Sequence, residues 1–358
     1  MKRRHFEALR PICPGCRATG EYPLVLATVL RESDADVIEG VLHCTNVACQ
    51  REYPILDGIP LLVPGLRKYV ADNMFLLTGR DDLSGTMESI LWDCCGPGTY
   101  FDACRQHLST YAWDHYGDLD PAEAQAELRP GTILDVLTKG LALAGDAPDA
   151  PVIDLGCSVG RTTFALAERH ANRLVLGIDL NFSMLKLASL VMQRGVVSYG
   201  RRRVGMVYDP RVFPAVFPGS ERVDFWVCDA MALPFSSGTF GLASALNVAD
   251  CVPSPRDFLA GVGDVLVPDG RAVLATPYDW TPTVTPVETW LGGHSQRGPG
   301  GGSSEAVLRA LLTPGAHPAS LTNLELLADE AHVPWNVRMH DRSIMRYDVH
   351  VTAARRPL

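Results

Sequence analysis

Two groups of side chains carry the chemistry legible in this 358-residue chain, an ordered set of aspartates around a glycine turn and two cysteine pairs. Val152-Ile153-Asp154-Leu155-Gly156-Cys157-Ser158-Val159-Gly160-Arg161 is a short apolar run broken by two glycines. It predicts a buried strand that turns sharply into a helix over Thr162–His170. A second apolar run, Leu174–Ile178, ends on Asp179, and a third, Val223–Cys228, is followed by Asp229-Ala230-Met231. Strand, glycine turn, helix and a strand ending in an acid form a βαβ unit that holds a nucleoside, the acid taking the ribose hydroxyls. Cys13-Pro14-Gly15-Cys16 and the pair Cys44 and Cys49 offer four thiolates, the donor set that zinc prefers in a module with little core of its own.

The nucleoside is narrowed by what the loop lacks. A dinucleotide fingerprint needs a middle glycine so that the backbone can approach a pyrophosphate. Here Ser158 holds that position and Asp154 stands two residues before the first glycine. S-adenosylmethionine (SAM) has no phosphate; Gly156 and Gly160 would admit its methionine part, and Asp154 would organise contacts to the ammonium. Cys157 and Ser158 complete the loop, and Asp179 with Leu180 reaches the ribose. Asp229 and Ala230 meet the adenine amino group, Met231 lies against its ring, and Asn247 closes the set. An NAD-dependent oxidoreductase is the competing enzyme reading, and Ser158 and the missing third glycine count against it.

These motifs resemble class I SAM-dependent methyltransferases. The resemblance rests on Asp154-x-Gly156-x-x-x-Gly160, Asp179, the run Cys228–Phe235, and Leu266-Val267-Pro268-Asp269-Gly270-Arg271 before a fifth strand. It implies an α/β fold with a seven-stranded Rossmann-like sheet, five parallel strands followed by a C-terminal antiparallel hairpin. The alternation of elements agrees. Strands are expected at 151–155, 174–179, 223–228, 241–247 and 271–276, with helices at 162–170, 182–194, 255–266 and 304–312. A closing pair, Trp335–His340 and Tyr347–Ala353, is close enough in sequence for a hairpin and too close for a parallel crossover.

The cysteine pairs and Tyr53-Pro54-Ile55-Leu56-Asp57-Gly58-Ile59-Pro60 resemble the small zinc ribbon that activates methyltransferases, and the ribbon fused to the front of many bacterial ones. The resemblance implies a structural Zn2+ on Cys13, Cys16, Cys44 and Cys49, and a ribbon that aids folding or docks a protein or substrate. The four-residue spacing of the second pair departs from the pattern, and the alternative is a ribbon that kept its fold without metal. The expected organisation is a zinc-ribbon module over 1–65, a helical linker or substrate lid over 66–150, and a methyltransferase domain over 151–358. That domain has insertions at 196–220 and 281–303. Within the linker, Arg105–Tyr116 reads as a helix with Tyr111 and His115 on one face, and Thr132–Ala144 as another. Residues 281–303 run into Gly298-Pro299-Gly300-Gly301-Gly302, expected to be a flexible tether.

The acceptor should meet the cofactor beyond the carboxyl ends of the strands. Asn247, Asp250, Tyr278 and Asp279 could orient a polar acceptor, and Trp280 or Trp290 could shield a sulfonium through a cation–π contact. The Asn-Pro-Pro-Tyr type of motif that marks methylation of exocyclic amines is absent. Tyr278-Asp279-Trp280-Thr281-Pro282 through Trp290-Leu291-Gly292-Gly293 resembles the methyltransferase segment of ovothiol-forming enzymes, which implies nitrogen methylation of a small imidazole or amino-acid-like acceptor. The rival is an RNA methyltransferase, with the ribbon and Arg201-Arg202-Arg203 holding nucleic acid. A net charge of -9 disfavours a polyanion partner. A third reading is a SAM-binding scaffold without activity. Ten cysteines with no apolar segment behind the basic N-terminus, and no apolar run long enough to span a bilayer, lead us to expect reduced thiols, a cytoplasmic location and no membrane.

Overall fold

The computed structural model describes residues 1–34, 36–79, 96–125 and 128–358. In chain order, helix α1 (Arg3–Leu9) precedes strands β1 (Leu24–Ser33), β2 (Asp36–Cys44), β3 (Glu52–Leu56) and β4 (Ile59–Leu62). Helices α2 (Leu66–Thr78), α3 (Tyr100–Tyr116) and α4 (Thr132–Ala144) follow. The chain then alternates through β5 (Val152–Leu155), α5 (Arg161–Arg169), β6 (Val175–Asp179) and α6 (Phe182–Arg194). After strands β7 (Val196–Val204) and β8 (Val207–Pro214) come β9 (Val223–Cys228), β10 (Phe240–Leu246), α7 (Pro255–Val265), β11 (Leu266–Thr276), α8 (Ser304–Leu311), β12 (Glu325–His340) and β13 (Ser343–Arg355).

Every residue of β5, β9 and β10 is buried, as parallel strands covered on both faces require. The order β9-β6-β5-β10-β11-β13-β12 has five parallel strands and ends in the antiparallel pair β13 and β12. This is the seven-stranded Rossmann-like methyltransferase sheet. The sheet does not stop at β9. β4 pairs with it in parallel at Leu61↔Val227 and Leu62↔Cys228, so the N-terminal strands extend one sheet to eleven strands. Ribbon side chains Val37, Leu42, Tyr53 and Ile55 belong to the same buried cluster as Trp226, Cys228 and Phe235.

Local sequence sets the ends of the elements. Asn181 caps α6 by accepting the backbone N–H groups of Ser183 and Met184, and Gly195 ends it in the left-handed conformation at φ 65°. α4 buries Ile133, Val136, Leu137, Gly140 and Ala144, one helical face against the sheet. Gly140 must lack a side chain there, because a Cβ would come within 2.2 Å of Val273.

Two segments differ from expectation. The insertion at 196–220 forms the β7–β8 hairpin. Its arginines are spent on ion pairs: Arg201 with Glu123 (2.5 Å), Arg203 with Asp209, and Arg211 with Asp120 through two bonds of 2.7 Å. Arg202 donates to Gln106 of α3 at 2.8 Å. The Gly298–Gly302 run is folded back, not a free tether, since Gly293 N–H donates to Gly302 C=O at 2.8 Å. Residues 80–95 and 126–127 of the expected 66–150 linker lie outside the described residues. Among the described residues no helix is long and apolar enough to cross a membrane.

Candidate functional site

The carboxyl ends of β5, β6, β9 and β10 meet around a cavity of about 490 Å³, within the size range of small-molecule and cofactor sites. Asp154, Gly156, Ser158, Asp179, Leu180, Asp229, Ala230, Met231 and Asn247 all line it. Gly156 has φ 66°, and a Cβ there would meet Val248 at 2.5 Å. Gly160 has φ 88° and would meet Phe225 and Ala188, so both glycines are required by conformation and by space. Ser158 adopts φ 53°, an uncommon conformation for a side chain and a mark of a constrained loop. Cys157 and Gly160 do not face the cavity; Cys157 is buried, and Gly160 stands at the start of α5.

Hydrogen bonds fix the carboxylates. Asp179 Oδ2 accepts Ser158 N–H at 2.9 Å and Oδ1 accepts Asn181 N–H at 2.8 Å, which ties β6 to the glycine loop and to the cap of α6. Asp229 Oδ1 accepts Met231 N–H at 2.9 Å, turning the chain so that both residues face the cavity. Asp154 Oδ2 accepts the hydroxyls of Thr162 (2.6 Å) and Thr163 (2.7 Å). Burial pushes its pKa up to about 6. That oxygen therefore braces α5 against β5. Asn247, at φ 58°, buries its side-chain Oδ1 and Nδ2 without a partner among the described residues. Buried polar atoms are normally bonded, so this amide is suited to an absent ligand.

α3 closes the cavity. His107, Tyr111 and His115 recur at four-residue intervals and all line it, together with Trp335 of β12. Tyr116 O–H donates to Val159 C=O at 2.6 Å and Arg161 N–H donates to His115 Nδ1 at 3.3 Å, so the helix is fastened to the glycine loop. Burial, with the nearby Arg161 charge, lowers the His115 pKa to about 3. Sequence reasoning singled out Tyr111 and His115 but missed His107, one turn earlier, and Trp335. The four-residue repeat was the available signal for His107; Trp335 had none, because its strand reaches the cavity only through sheet order.

Trp335 is held from behind. Its Nε1–H donates to Asp114 Oδ2 at 2.8 Å, and its ring stacks on Tyr347 with centroids 5.0 Å apart. Asp114 is fully buried, its Oδ1 has no partner among the described residues, and burial pushes its pKa up to about 8. The folded state thus retains a proton that the unfolded chain releases at ordinary carboxylate pH. Asp114 favours folding below about pH 4, and the advantage is lost as pH rises towards about 8. Asp114→Asn keeps the acceptor for Trp335 without the charge. It is expected to add about 2–4 kcal/mol at pH 8 and to flatten the loss of stability between pH 5 and 8. Thermal unfolding across that range checks this; identical slopes would refute it.

The residues expected to position an acceptor are not all brought to the cavity wall. Asn247 faces the cavity, whereas Asp250, Tyr278, Asp279 and Trp280 are not in its wall. Asp250 is buried beside it and accepts Asp279 N–H through Oδ2 at 2.9 Å. The Tyr278 hydroxyl lies 2.6 Å from His350 Nδ1, and His350 Nε2 lies 2.8 Å from Asp329, a polar chain under α8. Tyr347 O–H donates to Asp279. Trp280 stacks on Trp290 at 6.0 Å and donates to Ser304, which leaves both indoles outside the cavity.

The four cysteines converge at the far end of the sheet. Ligand sulfurs of Cys13, Cys16, Cys44 and Cys49 all lie within 4.8 Å of one another. The Cys13–Cys49 and Cys16–Cys44 separations are 3.9 Å. A tetrahedral zinc with ~2.3 Å bonds has sulfur–sulfur edges of about 3.8 Å, so the geometry fits despite the wider spacing of the second pair. Donors point at the sulfurs: Tyr53 O–H to Cys13 (3.2 Å), Asn46 N–H to Cys44 (3.4 Å) and Arg51 to Cys49 (3.4 Å). Such outer contacts favour thiolates.

Comparison with known proteins agrees with the sheet and loop. Residues 153–274 match a family model described as "Methyltransferase domain". A probable chloroplastic tocopherol O-methyltransferase of rice (Oryza sativa subsp. japonica) is 24% identical over 221 residues, 60% of this chain. The chain spans about half the length of that curated relative, 47%. Among solved structures, the [4+2]-cyclase SpnF is 17% identical with a TM-score of 0.38, over 63% of this chain and 80% of that one. The YcgJ protein of Bacillus subtilis is 15% identical with a TM-score of 0.38, over 63% of this chain and 99% of that one. Likenesses of this size bear on neither activity nor acceptor. On its sheet order, its glycine loop and the match over residues 153–274, the chain has the class I methyltransferase fold.

Proposed function

We propose that this protein transfers the methyl group of SAM to a nitrogen of a small molecule, an imidazole or amino-acid-like acceptor. The observation that carries the reading is the convergence of Asp179, Asp229 and the unpartnered amide of Asn247 on one cavity. In this reading Asp179 takes the ribose hydroxyls, Asp229 the adenine amino group, and Asn247 the methionine end. The acceptor lone pair attacks the methyl carbon in line, the C–S bond breaks, and its electron pair stays on sulfur. Enclosure and alignment supply most of the rate, and a neutral nitrogen needs no base before attack. Cys13, Cys16, Cys44 and Cys49 hold a structural zinc that contributes folding energy and no chemistry.

The arginine pairs of the β7–β8 hairpin weigh against the RNA reading, because Arg201, Arg202 and Arg203 are engaged within the chain. The tocopherol-directed relative is a reason to include phenols among the acceptors tried. A lysate supplied with methyl-labelled SAM and the full chain, then separated into RNA, protein and small-molecule fractions, is the test. Label should enter the small-molecule fraction. Label confined to RNA would overturn the reading, and label nowhere would favour a SAM-binding scaffold.

A further inference from the structure

The wall of the cavity facing the glycine loop has a chemistry of its own. It is built from His107, Tyr111 and His115 of α3, Ile133 of α4, Cys251 and Trp335. Among the described residues no lysine or arginine lines the cavity, while Asp154, Asp179 and Asp229 line its other side. A carboxylate or phosphate brought against this wall would be stripped of water with no described lysine or arginine to meet it. The wall is also rigid. His115 accepts Arg161 N–H at Nδ1, so its neutral ring carries the proton on Nε2. Trp335 is fixed by Asp114 and by its stack on Tyr347. Tyr111 and Trp335 present aromatic surface, and Tyr111 and His115 each bring one polar hydrogen.

We propose that this wall is the acceptor subsite, that it selects an uncharged, flat nitrogen heterocycle lacking any carboxylate or phosphate, and that Tyr111 and His115 determine that specificity. The proposal rests on the methyl-transfer reading above and narrows it, because it removes free amino acids from the acceptor class. The ring nitrogen supplies the electron pair, the methyl–sulfur bond breaks towards sulfur, and the positive charge of the sulfonium moves onto the methylated ring. A ring that bore an N–H then loses that proton to solvent. Aromatic faces stabilise a ring-borne cation, and among the described residues no lysine or arginine lines the cavity to oppose it. Tyr111 remains protonated, since burial raises its pKa, and so acts as a hydrogen-bond donor. Burial likewise lowers the pKa of His107 and keeps its ring neutral.

The test uses the full chain saturated with S-adenosylhomocysteine at pH 8.5 and two probes that share a ring, 4-methylimidazole and imidazole-4-acetate. Ligand-observed NMR titration should give at least about tenfold tighter binding of the uncharged probe, and Tyr111→Phe should weaken it by about tenfold. In both proteins S-adenosylhomocysteine affinity should agree within about twofold, which also reports that the variant is folded. Equal or tighter binding of the carboxylate probe, or unchanged binding in Tyr111→Phe, would overturn the subsite. Failure of the unmodified chain to bind S-adenosylhomocysteine would instead overturn the methyl-transfer reading.

Discussion

Asp179→Ala is expected to weaken SAM binding by two to three orders of magnitude. A carboxylate on two ribose hydroxyls makes two charge-assisted hydrogen bonds of about 1.5–3 kcal/mol each, and every 1.4 kcal/mol is tenfold. The substitution also releases Ser158 N–H and Asn181 N–H, the two donors that Asp179 now holds. The glycine loop and the cap of α6 would loosen together. Asp179→Asn separates these effects, because an amide oxygen can keep one donor but cannot take both hydroxyls. Its loss of affinity should fall between those of the parent and alanine. Burial raises the Asp179 pKa above the ordinary carboxylate range. SAM requires the ionised form as acceptor, so affinity should start to fall on acidification at a higher pH than an exposed aspartate would allow. Calorimetric titration of SAM into parent and variants at pH 5 and pH 8 measures both. An Asp179→Ala affinity within threefold of the parent would mean that the nucleoside lies elsewhere.

The parts of this site that the sequence made legible are those governed by local chemistry. Asp154–Gly160, Asp179 and Asp229 each sit where an apolar run ends, and a buried parallel strand leaves little choice about where its carboxyl end points. The residues around Tyr278 lie outside the cavity wall for a reason of the same kind. Side chains alternate across a sheet, so a residue following β11 can turn to either face. Tyr278 turned to the face of α8, where His350 receives its hydroxyl, and not to the face covered by α3. Proximity to the strand end is a weaker guide than the parity of the position.

Long-range pairings were illegible for a different reason. Arg201, Arg202 and Arg203 look like a solvated basic run; Glu123 and Gln106 reach Arg201 and Arg202 from far back in the chain, and Asp209 meets Arg203 across the hairpin. Nothing local distinguishes an arginine bound for nucleic acid from one bound for a buried carboxylate. The hairpin they build holds α3 in place, since Arg202 also takes the Ser109 hydroxyl as acceptor through its backbone N–H. A segment that reads as an RNA grip thus braces the α3 wall of the cavity. The acidic net charge had pointed the same way.

Removal of a zinc held by the four cysteines is expected to reach the proposed SAM site, because the cysteine cluster and the cavity share one sheet. β4 pairs with β9, and β9 leads directly to Asp229. Further bonds weld the two regions: Ile12 N–H donates to Pro234 C=O at 2.9 Å, and Arg17 donates to the carbonyls of Leu233 and Phe235, in the segment after Met231. Structural zinc in isolated fingers supplies about 10–16 kcal/mol, and only part of that can be lost here because the ribbon also buries apolar side chains against Trp226 and Phe235. A loss of even about 4 kcal/mol should lower Tm by roughly 5 °C for a chain of this size. Chelation with 1,10-phenanthroline, and separately Cys16→Ser, should therefore lower Tm and weaken SAM binding. Asp229 would no longer be held by a strand flanked on both edges. Elemental analysis of the purified chain should find one zinc per molecule and none in the variant. A chain free of zinc, with a Tm and SAM affinity unmoved by the chelator, would show that the four thiols stabilise the ribbon unaided and that β9 needs no metal to hold Asp229.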